Sequence, residues 1–185
     1  MAITSGGETE NLPIAGNNFS VALAALGFDT MITGAQLRVD QDGFVDFYYV
    51  GAESGFTNAF STGVQSLIEH NEGFNFAGYS SLTIAVSAGD VLNFRFTIGG
   101  VGALSPVDNF NATNLEGLGI FFDSDQSGSL QQILLGYDNQ IIRDDDNQDD
   151  MLVRADFRPV PIPASAWLFG SALVGLAAVA RRKAA

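Results

Sequence analysis

Five carboxylates fall within the seven residues Asp144-Asp145-Asp146-Asn147-Gln148-Asp149-Asp150. Like charges this close repel one another unless a cation or an arginine intervenes. The run therefore reads either as one wall of a cation site or as a solvated acidic loop. A second oxygen-rich stretch, Asp123-Ser124-Asp125-Gln126-Ser127-Gly128, opens like a calcium loop. Oxygens recur at alternate positions, from Asp123, Asp125 and Ser127, and the glycine permits a sharp turn. The twelfth position counted from Asp123 is Leu134, where an EF-hand needs a bidentate Glu, so the EF-hand is excluded. Two readings remain: a calcium loop that borrows ligands from elsewhere, and an acidic hairpin turn.

Other chemistries find little support. His70 is the sole histidine and there is no cysteine, which excludes a multi-His zinc site, a thiolate metal site, a Cys nucleophile and a disulfide framework. His70 lies in the loop-like Glu69-His70-Asn71-Glu72 and reads as a surface residue. No G-x-S-x-G elbow and no G-x-x-x-x-G-K-[ST] phosphate loop occurs. Glycoside hydrolysis needs two carboxyl groups, and Glu53, Glu69, Glu72 and Glu116 are available, but spacing singles out no pair. A non-enzymatic body is the expectation, with a glycan-binding or carbohydrate-active domain as the alternative.

All 21 acidic residues lie in the first 158 residues, against five arginines (Arg38, Arg95, Arg143, Arg154 and Arg158). So acidic a body repels nucleic-acid phosphates and suits solubility or cation binding. It is long enough for one domain with a real core.

The elements that must position these residues read as strands. Short segments rich in Phe, Tyr, Val, Ile and Thr alternate apolar with polar and are separated by Gly, Asn, Asp and Ser. The pattern predicts strands over 35–39, 43–49, 59–61, 82–86, 91–98, 118–122, 132–137 and 151–157. Gln41-Asp42-Gly43 predicts a hairpin between the first two, and Ala88-Gly89-Asp90 another between 82–86 and 91–98. A short helix is expected over 20–26, with Asn18 as its N-cap. Together these predict an all-β body, an antiparallel β-sandwich or jelly roll over residues 1–158 with most of the 15 Phe in its core.

Residues 159–185 follow other rules. Pro161 and Pro163 break the chain, the run from Ala164 to Ala180 carries no charge, and Arg181, Arg182 and Lys183 follow. As a helix that run covers ~26 Å, near the lower limit for a bilayer core. Trp167 suits one membrane interface, and the basic cluster places the C-terminus in the cytoplasm with the body outside. A buried core helix would carry a polar face, and this run offers only Ser165 and Ser171.

Val160-Pro161-Ile162-Pro163-Ala164, an apolar helix and Ala180-Arg181-Arg182-Lys183, in this order at the C-terminus, resemble the PEP-CTERM (VPxPA-type) sorting signal of exported bacterial proteins. Ile162 stands where the name-giving form has Glu. The resemblance implies recognition by an exosortase-type membrane protease, cleavage near the motif, and release of the body to the cell surface or the extracellular matrix, with exopolysaccharide as a further partner. Within the body, Gly136-Tyr137-Asp138-Asn139 followed by Asp145-Asp146-Asn147-Gln148-Asp149-Asp150-Met151-Leu152-Val153-Arg154 is similar to the "GYDD…DDNxDDMxVR" ending of many such proteins. Gly51-Ala52-Glu53-Ser54-Gly55-Phe56-Thr57-Asn58 is similar to their "GxEAGYxN" segment. This likeness implies that Asp138, Asp144, Asp145, Asp146, Asn147, Asp149 and Asp150 line one calcium site at the end of a β-sandwich.

The resemblance also implies a secretory leader. Met1 to Glu8 has no basic start, and Val21 to Leu26 is too short an apolar run. The expectation is that the leader lies upstream of Met1, the alternative being that the tail alone anchors the chain. The function expected is thus a structural or binding module of the envelope or matrix, stiffened by calcium.

Overall fold

The structure is a computed structural model and describes residues 1–4, 7–13, 18–54, 56–70, 73–99, 106–126, 130–139, 148–161, 168 and 171–172. In chain order the elements are β1 (Ala2–Ile3), β2 (Glu8–Asn11), α1 (Asn18–Ala25), β3 (Thr30–Thr33), β4 (Leu37–Arg38), β5 (Gly43–Gly51), β6 (Thr57–Ser61), β7 (Ser66–Ile68), β8 (Ser80–Val86), β9 (Arg95–Gly99), β10 (Val107–Asp108), β11 (Leu118–Phe122), β12 (Gln132–Tyr137) and β13 (Met151–Pro159), with a 3-10 turn at Leu115–Gly117. The protein is mostly β, and every strand pairing is antiparallel.

A seven-stranded sheet has the order β2-β3-β11-β12-β13-β5-β8, a four-stranded sheet the order β10-β9-β6-β7, and β1 pairs with β4. The two larger sheets share one core. Phe47 of β5 meets Phe60 of β6 at 4.8 Å between ring centroids, and Phe96 of β9 stacks on Tyr137 of β12 at 5.2 Å. Phe94, Phe96 and Ile98 are buried while Arg95 is exposed, as a half-buried strand requires. The central strands of the large sheet do not alternate cleanly, because its outer face is also covered. Leu134, Phe121, Leu152, Val50 and Met31 pack there against Leu23 of α1 and Phe28 in a second apolar cluster.

Both predicted hairpins need correction. β5 pairs with β13 and β8, not with β4, so Gln41-Asp42-Gly43 joins different sheets. Ala88-Gly89-Asp90 does turn, closed by Asp90 N–H on Ser87 O at 3.1 Å, but β8 and β9 belong to different sheets. The expected strand 91–98 is shortened to β9, with Val91 forming an isolated bridge to Arg38. Turn residues specify a reversal; burial decides which long-range partner each strand receives. The backbones at Leu37 and Leu92 bond directly, Leu92 N–H on Leu37 O at 3.0 Å, and buried Asn109 braces them, its Oδ1 accepting from Leu37 N at 2.9 Å and its Nδ2 donating to Leu92 O at 2.6 Å.

Among the described residues no helix is long and apolar enough to cross a membrane. The expected membrane span lies outside them apart from Leu168, Ser171 and Ala172, which are helical.

Candidate functional site

The two body segments that carry the resemblance, 51–58 and 136–154, meet at one end of the seven-stranded sheet. β5 delivers one and β12 and β13 deliver the other, since Leu152 pairs with Gly51 and Tyr137 with Met151. Asp150 Oδ2 accepts the backbone N–H of Asn139 at 2.8 Å, and Asp150 O accepts from Asn58 Nδ2 at 3.0 Å. Asn139 Nδ2 donates to Ser54 Oγ at 2.8 Å and Asn58 Oδ1 at 3.4 Å. Glu53 N–H donates to Asp149 O at 3.1 Å. Asp138, Asn139, Gln148 and Asp149 are buried.

Glu69, after β7, turns into the same region. Its Oε2 accepts Asn58 N–H at 2.8 Å, and only 6% of the residue is exposed. Burial raises the pKa of this carboxyl above its ordinary value, and the like charge of Asp150 adds to the shift. Tyr137 is pushed far up, first by burial and then by Asp150 and Asp138, which places both carboxylates near its phenol. Among the described residues, Asn139 Oδ1 and Gln148 Oε1 are buried acceptors with no hydrogen-bond partner. A buried acceptor left unpaired costs about 1–3 kcal/mol, so both stand ready for a donor or a cation.

Gln148, which leads into Asp149 and Asp150, packs against the sheet at Gly119 and Gly136. Gly119 and Gly136 are paired neighbours on β11 and β12. A Cβ at Gly136 would lie 2.1 Å from Gln148 O, and one at Gly119 would lie 3.0 Å from Gln148 Cβ. Two glycines therefore let the chain at Gln148, itself at φ 51°, lie flat on the sheet.

Beside the acidic end runs an open groove of about 280 Å³, lined by Phe19, Ala52, Glu53, Gly73, Phe74, Asp149 and Leu152. Phe74 is 41% exposed, and its ring meets Phe19 edge-on at 5.4 Å. The loop that carries it is fastened to β5 by Asn75 N–H on Val50 O at 2.7 Å and Tyr79 N–H on Tyr49 O at 2.8 Å.

The Asp123 segment lies elsewhere. It follows β11, and Asp138 follows β12, so the two sit at opposite ends of one antiparallel pair, roughly 17 Å apart along the strands. Asp123 and Asp125 cannot share an ion with Asp138, Asp149 and Asp150. Asp123 Oδ1 accepts Asp125 N–H at 2.9 Å, and Gln126 Oε1 accepts Gln131 N–H at 2.9 Å, bonds that close a hairpin turn. Ser127, Asp144, Asp145, Asp146 and Asn147 lie outside the described residues, as does Glu72. Among the described residues no three His, Cys, Asp or Glu side chains come together as a metal group. His70 is exposed, and its backbone O accepts from Tyr49 Oη at 2.7 Å.

Of the tail, Val160 leaves β13 half-exposed, with its N–H on Asp42 O at 3.0 Å, and Pro161 follows. Pro163, Ala164, Arg181, Arg182 and Lys183 lie outside the described residues. Sequence reading flagged the segments 51–58 and 136–154 but did not foresee Ser54, Asn58 and Glu69 as the groups packed around Asp150. The carboxylate of Glu69 gave no signal beyond its type. No family model, curated protein or solved structure matches the chain.

Proposed function

We propose that this is an exported surface or extracellular-matrix protein, carried to its site by a C-terminal sorting signal that an exosortase-type protease recognises and removes. The carrying observation is the ordered tail: Val160-Pro161-Ile162-Pro163-Ala164, the uncharged run to Ala180, and Arg181, Arg182 and Lys183. The body is read as a non-enzymatic β-sandwich and the uncharged run as a single transmembrane helix. The tail exit supports this reading. β13 is paired with β5 as far as Pro159 and with β12 as far as Asp156, so cutting beyond Pro159 removes no strand from the sheet. The test is expression in a host with and without an exosortase, with the C-terminus of the product read by mass spectrometry. Loss of everything beyond the Val160–Ala164 motif, abolished by Pro161→Ala with Pro163→Ala, supports the reading; an intact tail in the exosortase host overturns it.

The acidic end is read as a calcium site that stiffens the body outside the cell. In this reading Asp138, Asp149, Asp150 and the Asn139 side-chain oxygen are hard oxygen donors that make a site only together with Asp144, Asp145 and Asp146 of the adjoining segment, since no three acidic side chains gather among the described residues. The unpartnered Asn139 Oδ1 is the feature that fits an ion there. When bound, calcium would neutralise carboxylates that otherwise repel one another. A second reading, a glycan-binding or carbohydrate-active domain, is favoured by the groove that sets Phe74 beside Glu53 and Asp149.

A further inference from the structure

We propose that the groove beside the acidic end binds a protonated amino sugar, as one unit of a cationic matrix polysaccharide. The choice of a polymer rests on the matrix reading above; the choice of charge and ring rests on the groove.

Charge comes first. The described lining contains two acidic residues, Glu53 and Asp149, and no Lys, Arg or His. The body around it carries all 21 acidic residues of the chain. Such a field repels uronic acids and phosphorylated sugars and concentrates cations. An ammonium group offers three donors and a positive charge to the exposed, acceptor-only carboxylate of Glu53, while buried Asp149 adds its negative charge from behind. A neutral hydroxyl gains less from the same oxygens.

Shape separates a ring from a chain. The groove is about 280 Å³ and open along one side. An extended lysine stem would fill it poorly, and gaps at an apolar wall forfeit dispersion contacts. A pyranose ring is broad, and its C–H face can pack on the partly exposed ring of Phe74, which is held in place by an edge-to-face contact with Phe19 at 5.4 Å. Ala52, Gly73 and Leu152 complete an apolar floor under that ring, and the open side leaves room for neighbouring sugar units.

The walls are fixed before a ligand arrives. Glu53 N–H on Asp149 O at 3.1 Å joins one wall to the other, and Asn75 N–H on Val50 O at 2.7 Å holds the Phe74 loop on β5. Preorganisation of this kind lowers the ordering cost of binding.

The test is calorimetric titration of the full chain with four probes: a glucosamine tetramer, its fully N-acetylated counterpart, a glucuronic acid oligomer, and N-acetyl-lysine amide. The glucosamine tetramer is expected to bind best, with the acetylated tetramer about tenfold weaker, as the loss of one charge-assisted contact implies. Exposed Glu53 tolerates Glu53→Gln without a folding penalty, and this variant should weaken glucosamine binding roughly two- to fivefold, the range of an exposed ion pair. Phe74→Ala should weaken it about tenfold, as loss of an aromatic platform does. Equal binding of the acetylated tetramer overturns the charge argument, and equal binding of lysine amide overturns the ring argument. Binding of glucosamine that neither variant weakens, or no binding at all, overturns the site. None of these results bears on tail cleavage, which mass spectrometry reads separately.

Discussion

Asp150 and Val160 bracket β13, one just before its first residue and the other just after its last. The strand between them runs Met151–Pro159, ~30 Å of extended chain. The acidic end and the tail exit are thus the two ends of one central strand. If the proposed tail anchors the body beyond Val160, Asp150 lies at the far end of β13 from the anchor.

Calcium should raise the melting temperature of the protein. At calcium one hundred times its dissociation constant the gain is about 2.7 kcal/mol, which for a domain of this size corresponds to a rise of roughly 5–10 °C. Chelator should reverse it, and Asp144→Asn, Asp145→Asn and Asp146→Asn combined should abolish it. A melt that ignores calcium reduces the acid run to a solvated loop.

Glu69 sets a pH dependence. Its folded pKa is raised by burial above the ordinary 4.5, so the folded state holds the proton more tightly than the unfolded chain. The stability it contributes is full below the ordinary value and is lost as pH rises through the raised one. Without calcium, Glu69→Gln should therefore be more stable than the parent at neutral pH and equal to it at strongly acidic pH. Asp46 has the opposite sign. Its hydrogen bonds with Arg158 lower its pKa below 3.8, so its contribution is lost as pH falls below that value. Denaturant melts across pH measure both; a Glu69→Gln variant less stable at neutral pH in chelator would contradict the first.

Gly136→Ala should uncouple the acidic segment from the sheet. The new Cβ would meet Gln148 O at 2.1 Å, and overpacking at so fixed a point costs about 1–3 kcal/mol. The loss of stability should come with a weaker calcium response, because Gln148 leads directly into Asp149 and Asp150. Comparing melts of the variant with and without calcium checks both parts.

Phe96→Ala tests whether the two large sheets depend on one core. Phe96 stacks on Tyr137 at 5.2 Å and meets Phe60 and Phe94 at 5.1 and 6.0 Å. Truncation at a fully buried site of this kind costs about 3–5 kcal/mol, read as a lower urea midpoint in one cooperative transition.

Much of the strand inventory was legible because its signal is local. Phe94, Phe96 and Ile98 alternate with Arg95 and Thr97, and β11, β12 and β13 are apolar runs bounded by turn residues. β3 and β7 were missed, and β1, β2 and β10 with them. Thr30–Thr33 and Ser66–Ile68 are too short for a pattern to rise above the background, and long-range pairing alone makes them strands. The site was legible as two segments and illegible as a place.

Sequence alone determined the acidic body, the absence of thiol and multi-histidine chemistry, the oxygen-rich segments and the punctuation around Val160, because charge, residue type and periodicity are properties of neighbours along the chain. Tertiary structure alone decided that Asp123 and Asp138 stand at opposite ends of a hairpin. It also brought Asn58 and Glu69 to Asp150, and set Phe74 beside Glu53. These are contacts between residues far apart in sequence, fixed by which faces the sheets must bury, and no local pattern encodes them.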